Sequence, residues 1–282
     1  MTIRETLRAA QLQLKQAGVP DPAVDAGWML AHVMGVKRLE VLAQGDQPLD
    51  PRDEEAFERL LQRRLQREPL QYIIGETVFM GHRILCRPPV LIPRSDTEVL
   101  AEQALQLLKP GQRALDLCCG SGAIAVSLKL GCPDTSVYAS DLSGDALALT
   151  MDNAALHGVR LRVEQGDLLA PFAGVVFDLI CCNPPYIPTA HLQHLQAEVG
   201  FEPVLALDGG EDGMDLYRRI ITQAPVCLCP GGWLLLEAGD CQARPIADLL
   251  QVEFDHIRVY DDLNGLPRLV AARRKGTHAL AD

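Results

Sequence analysis

Two hydrophobic rhythms divide the chain. Over residues 1–68, apolar side chains recur at helical spacing. Leu7, Ala10, Leu14 and Ala17 fall on one face, and Gly18-Val19-Pro20 ends that helix. Asp21-Pro22 opens a second helix carrying Val24, Trp28, Leu30 and Ala31. Asp50-Pro51 opens a third carrying Phe57, Leu60, Leu61 and Leu65. That third helix ends among Arg59, Arg63, Arg64 and Arg67. They form either a solvated basic terminus favoured by the helix dipole or a surface for a partner.

The rhythm changes after residue 70. Tyr72-Ile73-Ile74-Gly75 and residues 78–85 have strand character with turn signals between them, which predicts a hairpin. Ser95-Asp96-Thr97-Glu98 has the spacing of a capping box, and Leu100, Ala104, Leu107 and Leu108 follow at helical spacing. Glu98 either serves only that box or has a further role. From Gln112 onward, short apolar runs alternate with amphipathic stretches. Strands are predicted at 114–117, 136–140, 161–165, 177–182, 233–237, 254–260 and 269–272, with helices near 122–130, 144–157, 213–228 and 241–251. Such alternation predicts an α/β fold with a doubly wound, mostly parallel seven-stranded sheet. The predicted domains are a small helical domain over residues 1–70, a β-hairpin linker over 71–92 and the α/β domain over 93–282.

Composition narrows the function classes. Hydrophobic residues make up 48 % of the 282 residues, enough for a sizeable core. No apolar run approaches the ~20 residues that span a bilayer, and the first residues lack the apolar centre of a signal peptide. A cytoplasmic, non-membrane protein is expected. The nine cysteines show no zinc-like spacing, so no metal is expected. Adjacent strand residues such as Cys181 and Cys182 point to opposite faces, which suits small buried hydrophobes in a reducing compartment. His191 and His194 mimic a ligand spacing, but no further ligands converge on them. The net charge is −11. The first 75 residues hold 10 basic and 11 acidic side chains, leaving 16 and 26 to the rest. That is not the basic footprint of a protein that grips bare duplex DNA.

The candidate chemistry collects where strands end. Asp116-Leu117-Cys118-Cys119-Gly120-Ser121-Gly122-Ala123 closes the first strand of the α/β domain and opens a helix. Gly120 and Gly122 allow a ligand close to the backbone. Asp116 either caps the next helix or orders the loop and meets a cationic group. Asp141 ends the second strand, where a carboxylate can accept two ribose hydroxyls. Asp167 and Leu168 follow the third strand; Asp167 can accept an adenine amino group while Leu168 covers the ring. Asn183-Pro184-Pro185-Tyr186 follows the fourth. There Asn183 offers an acceptor, the prolines stiffen the turn and Tyr186 offers a flat face, a grip suited to a planar amide or amine. Arg94 could meet a ligand carboxylate or pair with an acid. Phe79 could wall the pocket or belong to the hairpin core.

This order of elements resembles the class I methyltransferases that use S-adenosylmethionine. Arg67-Glu68-Pro69-Leu70, Leu91-Ile92-Pro93-Arg94-Ser95-Asp96-Thr97-Glu98, the Asp116–Ala125 stretch, Asn183-Pro184-Pro185-Tyr186-Ile187, Phe201-Glu202-Pro203, Gly231-Gly232 and Asp261-Asp262-Leu263 with Gly265 and Arg268 make the likeness more specific. Nearly the whole chain is similar to the peptide chain release factor glutamine N5-methyltransferases, the HemK family. The resemblance implies that Cys118, Cys119, Gly120, Ser121, Gly122, Asp141, Leu168 and Asn183 contact S-adenosyl-L-methionine, with S-adenosyl-L-homocysteine as product. Asp116, Asp167, Phe79 and Arg94 are further cofactor-site candidates. Asn183, Pro184, Pro185 and Tyr186 would hold the substrate glutamine, with Asn183, Pro184 and Tyr186 as the catalytic groups. The implied substrate is the glutamine of a Gly-Gly-Gln motif in class I release factors, bound by a monomer without direct nucleic-acid contact. Many relatives carry Gly or Thr where this loop has Cys118 and Cys119, and an aromatic ring where it has Leu168.

The Asn-Pro-Pro-Tyr grip alone also fits enzymes that methylate an exocyclic amine of a DNA or RNA base, or a glutamine of a ribosomal protein. The acidic balance of residues 76–282 and the lack of a large base-reading insertion argue against a nucleic-acid target.

Overall fold

The structure, a computed structural model, describes residues 1–262 and 264–276. Leu263, in the late segment that carries part of the resemblance, lies outside the described residues. Two compact units are present: Met1–Glu76 with Gln196–Phe201, and Thr77–Leu195 with the chain from Glu202 onward. The predicted boundaries therefore shift. Residues 71–76 belong with the helices, and a short excursion from the second half of the chain joins them.

The first unit holds α1 (Ile3–Gln16), α2 (Pro22–Met34), α3 (Arg38–Ala43), α4 (Pro51–Leu65) and α5 (Leu70–Ile74). A reciprocal capping box between Thr2 and Glu5 starts α1, and prolines occupy the first turns of α2 and α4, where a missing N–H costs nothing. Leu7, Leu14, Met29, Leu30, Phe57 and Leu61 bury into one shared core. α3 escapes periodicity because it is one short run with only Val41 buried. The sequence predicts strand over residues 72–75, whereas Tyr72, Ile73 and Ile74 are the end of α5. Pro69 precedes the helix, Ile73 docks into the helical core, and Gly75 at φ 86° stops it. Burial in a helical neighbourhood outweighs the β preference of two isoleucines.

The arginines at the end of α4 divide: Arg59 and Arg63 are exposed, as a solvated terminus would have them, whereas Arg64 and Arg67 turn inward. Arg64 is 4 % exposed. It donates to Asp25 at 2.7 Å and to Glu198 at 2.9 Å. Arg67 grips both oxygens of Glu198, at 2.7 and 2.6 Å. Burial pushes the Glu198 carboxyl up, but hydrogen bonds from Arg67 and Arg64 outweigh it and hold it at about 2. Glu198 lies in the Gln196–Phe201 excursion, so this clasp ties that segment to the helices.

The second unit starts at Thr77, inside a hairpin of β1 (Glu76–Phe79) and β2 (His82–Leu85) turned by Met80 and Gly81 at positive φ. Its seven-stranded sheet comprises β3 (Arg113–Leu117), β4 (Ser136–Asp141), β5 (Arg162–Gln165), β6 (Phe177–Cys182), β7 (Leu228–Glu237), β8 (Phe254–Asp261) and β9 (Pro267–Arg274). The order is β5-β4-β3-β6-β7-β9-β8, and only β9 runs against the rest. The helices are α6 (Glu98–Leu107), α7 (Ala123–Gly131), α8 (Gly144–Leu156), α9 (Asp215–Cys227) and α10 (Ala243–Leu250). Alternate strand residues feed two cores. Leu115 and Leu117 pack with Tyr217 and Ile246, whereas Ala114 packs with Leu100 and Leu128. The capping box expected at 95–98 does not form. Ser95–Thr97 is a 3-10 turn, and the Glu98 carboxylate accepts the Met80 N–H at 2.7 Å. Among the described residues, no helix is long and apolar enough to cross a membrane.

The clasp yields a stability prediction. Glu198→Ala leaves two arginines without their carboxylate and is expected to lower the unfolding free energy by about 3 kcal/mol, read from urea denaturation at pH 7. Because the folded value near 2 lies below the ordinary 4.5, the wild type should lose this contribution as pH falls from 4.5 to about 2. The variant should show no such loss.

Candidate active site

The sheet reverses direction of growth between β3 and β6, the point where open α/β sheets leave a crevice beyond their strand ends. In the β3–β6 pairing Leu117 lies opposite Cys182, so the loop from Cys118 and the loop from Asn183 leave the sheet side by side. A cavity of about 480 Å³ opens there, lined by Cys118, Gly120, Asp141, Asp167, Leu168, Asn183 and Pro185 among others. That volume falls within the usual range for small-molecule sites.

The loop after β3 takes its shape from left-handed residues. Cys118, Gly120 and Gly122 have φ of 58°, 54° and 74°. At Gly120 a Cβ would meet nothing within 4 Å, so the backbone there faces open space. At Gly122 it would lie 2.7 Å from Thr150 Cγ2. Cys118 holds its conformation despite a Cβ, at a cost of roughly 1–2 kcal/mol.

Two acids organise this loop. Asp116 is fully buried; one oxygen accepts the Ala125 N–H at 2.9 Å and the other has no partner. Burial pushes its carboxyl up to about 8. It therefore caps the first turn of α7 from below and does not line the cavity. Asp141 does line it, accepting the Gly120 N–H at 3.0 Å and the Ser143 N–H at 2.9 Å. Burial raises its pKa as well, against the pull of those backbone donors.

Other expected residues fall in different places. Asp167 lines the cavity with its carboxylate on Arg219, at 2.6 Å. Leu168 lines it at φ 51°. Cys119 and Ser121 are buried behind the loop; the Cys119 thiol lies 3.4 Å from the Thr150 hydroxyl. Phe79, expected at the cofactor pocket, is 1 % exposed and packs with Ile84 and Leu100 in a core, because the hairpin turns it inward. Arg94 does not line the cavity either. It pairs with Glu202 at 2.7 Å, and that acid is buried and draws the guanidinium to itself.

The Asn-Pro-Pro-Tyr loop divides two cavities. Asn183 and Pro185 face the first, and Pro184 is buried. Tyr186 lines a second of about 1080 Å³, with Ile187, Pro188, Gln242 and Arg268 among its walls. Gln242 donates to the Tyr186 carbonyl at 2.9 Å, and Gly209 and Gly213 crowd its backbone too closely for any side chain. Burial pushes the Tyr186 phenol up to about 12, so it stays neutral. The Asn183 amino group donates to Thr97 Oγ1 at 3.1 Å.

Sequence reasoning passed over Thr97, Gln242 and Glu237. Thr97 was absorbed into the supposed capping box. Glu237 did carry a signal, being a carboxylate ending the apolar run Leu234-Leu235-Leu236.

Comparison with known proteins fits this geometry. Residues 5–75 match the family model described as the PrmC N-terminal domain, and residues 95–198 match the methyltransferase small domain. The release factor glutamine methyltransferase of Geobacter sulfurreducens is 42 % identical over 274 residues, 96 % of each chain. That of Deinococcus radiodurans is 41 % identical over 98 % of this chain and all of its own. Among solved structures, a methyltransferase from Pyrococcus furiosus superposes with a TM-score of 0.54 at 18 % identity, covering 70 % of this chain and 90 % of the other. The T. thermophilus 16S rRNA N2 G1207 methyltransferase, solved with AdoMet and guanosine, gives 0.53 at 16 %, covering 71 % and 50 %. These two likenesses bear on the fold alone.

The packing at Gly122 is directly testable. Gly122→Ala must meet both Thr150 and a left-handed backbone, and is expected to cost about 2–4 kcal/mol in unfolding free energy. Gly158→Ala, at φ 63° with open space, should lose only about 1 kcal/mol. Thermal unfolding of the two variants measures the difference.

Proposed function

The chain belongs to the release factor glutamine methyltransferase family, and from that membership we propose its reaction. It transfers a methyl group from S-adenosyl-L-methionine to the side-chain amide nitrogen, N5, of the glutamine in the Gly-Gly-Gln motif of class I release factors. The observation that carries this reading is the place of Asn183-Pro184-Pro185-Tyr186 between two cavities, one fit for a nucleoside and one open to a polypeptide.

The first cavity suits the cofactor on its own residues. Asp141 presents a carboxylate at the wall, Leu168 and the half-exposed Leu142 present apolar surface, and Gly120 leaves its backbone open. Asp141 would accept the ribose hydroxyls, the two leucines would flank the adenine, and Cys118 to Gly122 would follow the methionine end. When bound, S-adenosyl-L-methionine supplies an electrophilic methyl on a sulfonium.

An amide nitrogen is a weak nucleophile because its lone pair is delocalised, so the protein's task is orientation. Thr97 occupies the Asn183 amino group, which turns Oδ1 to the other branch of that amide. Asn183 Oδ1 and the Pro184 carbonyl would accept the two hydrogens of the glutamine amide. They aim its nitrogen toward the first cavity and stabilise positive charge as it develops. Tyr186, neutral and held by Gln242, would pack on the planar amide. No strong base is required before transfer, since the proton can leave afterwards.

The base-methylating alternative lacks support. The relatives match both the helical unit and the α/β unit at about 40 % identity, and the net charge is −11.

Asn183→Ala removes one acceptor and is expected to lower kcat about ten- to a hundredfold, while the Kd for S-adenosyl-L-methionine changes less than about fivefold. Asp141→Asn should reverse that pattern and weaken cofactor binding by about tenfold or more. Labelled methyl transfer to a purified release factor, beside calorimetric titration, separates the two. Label persisting when the motif glutamine is changed to alanine would rule out the proposed target.

A further inference from the structure

Two segments that carry the family likeness, Leu91-Ile92-Pro93-Arg94 and Glu202-Pro203, hold none of the reacting groups. Their places in the structure give them a common task. The first cavity is lined at its base by the loops that leave the strand ends. Two stretches outside the sheet also line it. Residues 89–91 form one, and Pro203, Leu205, Ala206 and Asp208 belong to the other.

Each stretch has its own anchor. Val90 packs with Ala146 and Leu149 of α8. Ile187 donates to the Leu207 carbonyl at 2.9 Å and accepts the Gly209 N–H at 2.9 Å, so the second stretch ends beside the Asn-Pro-Pro-Tyr loop. An ion pair joins the two. The Arg94 guanidinium donates to Glu202 at 2.7 Å. The Glu202 side chain is 1 % exposed, and its second oxygen has no partner among the described residues. A carboxylate so deep is costly without its cation, so Arg94 keeps Glu202, and with it Pro203, in place.

Val204–Ala206 is a 3-10 turn, in which neighbouring side chains point in different directions. Val204 is 61 % exposed and does not line the cavity, whereas Leu205 is 56 % exposed and does. Leu205 therefore has apolar surface to bury against a ligand there.

We propose that Arg94 and Glu202 are positioning residues that clasp the two outer stretches of the first cavity, and that the clasp holds Leu205 where it covers bound S-adenosyl-L-methionine. The inference rests on the reading of this cavity as the cofactor site.

The clasp acts on retention of the cofactor rather than on methyl transfer. Neither charged residue lines the cavity, so both act through the stretch that begins at Pro203. Loss of the guanidinium leaves a buried carboxylate unpaired and drives it toward water, taking Pro203 with it. Neutralising Glu202 as well removes that drive.

The test measures the Kd of S-adenosyl-L-homocysteine by calorimetry and its dissociation rate by stopped-flow displacement. It adds kcat for a purified release factor at saturating cofactor. Leu205→Ser should raise the Kd about three- to tenfold, and Val204→Ser should leave it within about twofold of wild type. Arg94→Gln should raise the Kd and the dissociation rate about tenfold or more, with kcat within about threefold. Adding Glu202→Gln to Arg94→Gln should bring the Kd back to within about threefold of wild type. A wild-type dissociation rate in Arg94→Gln, shown folded by circular dichroism, overturns the clasp. Should Arg94→Gln misfold, Leu205→Ser and Val204→Ser, both at exposed positions, still decide the matter: equal Kd values overturn the proposal. A wild-type protein that does not bind S-adenosyl-L-homocysteine overturns the reading beneath it.

Discussion

The parallel pairing of β3 with β6 is the constraint on which the site depends. Leu117 lies opposite Cys182, so two loops with unrelated chemistry leave the sheet at neighbouring points. A shift of one residue would turn every side chain of a strand to the other face and part the loop of Cys118 from that of Asn183. Burial on both faces enforces the register. Leu115 and Leu117 serve one core and Ala114 the other, and Ile180 and Leu179 divide in the same way.

Around that junction the protein buries carboxylates and satisfies them unequally. Asp141 accepts two backbone N–H groups, which fix the loop after β3 against the end of β4. Asp116 accepts one and keeps an unpaired oxygen, and Glu237 also keeps one without a partner. Burial raises both, to about 8 and about 7. Desolvation is the largest influence on both groups and outweighs the hydrogen bonds and charges around them. The loops beyond the strands are thus set by hydrogen bonds with few alternatives, which is what positioning chemistry needs.

The helical unit obeys a different economy. Its core is a set of aliphatic side chains at helical spacing, but its end is closed by charge. Arg64, almost without exposure, is matched by Asp25 from α2 and Glu198 from a distant stretch. A charge so deep would be costly alone and persists because both partners are in place. In the sequence these arginines looked like a basic face. Helical periodicity reports which residues share a side, and it says nothing of a carboxylate more than a hundred positions away.

The sequence by itself determined the elements and their chemistry. Alternating apolar runs set the α/β unit, and Pro22, Pro51 and Gly122 marked helix starts through local sterics. The Asn-Pro-Pro-Tyr and acid–glycine segments announced themselves because each is contiguous, so their residue types and spacing survive in one dimension. Only the tertiary structure decided what needs two or more segments at once. It placed Phe79 in a core, Arg94 on Glu202, residues 72–74 in a helix, and Thr97 against the Asn183 amide. Those outcomes come from burial and from the finite number of donors and acceptors at each contact. Both are settled by which side chains meet, and a linear pattern does not carry that information.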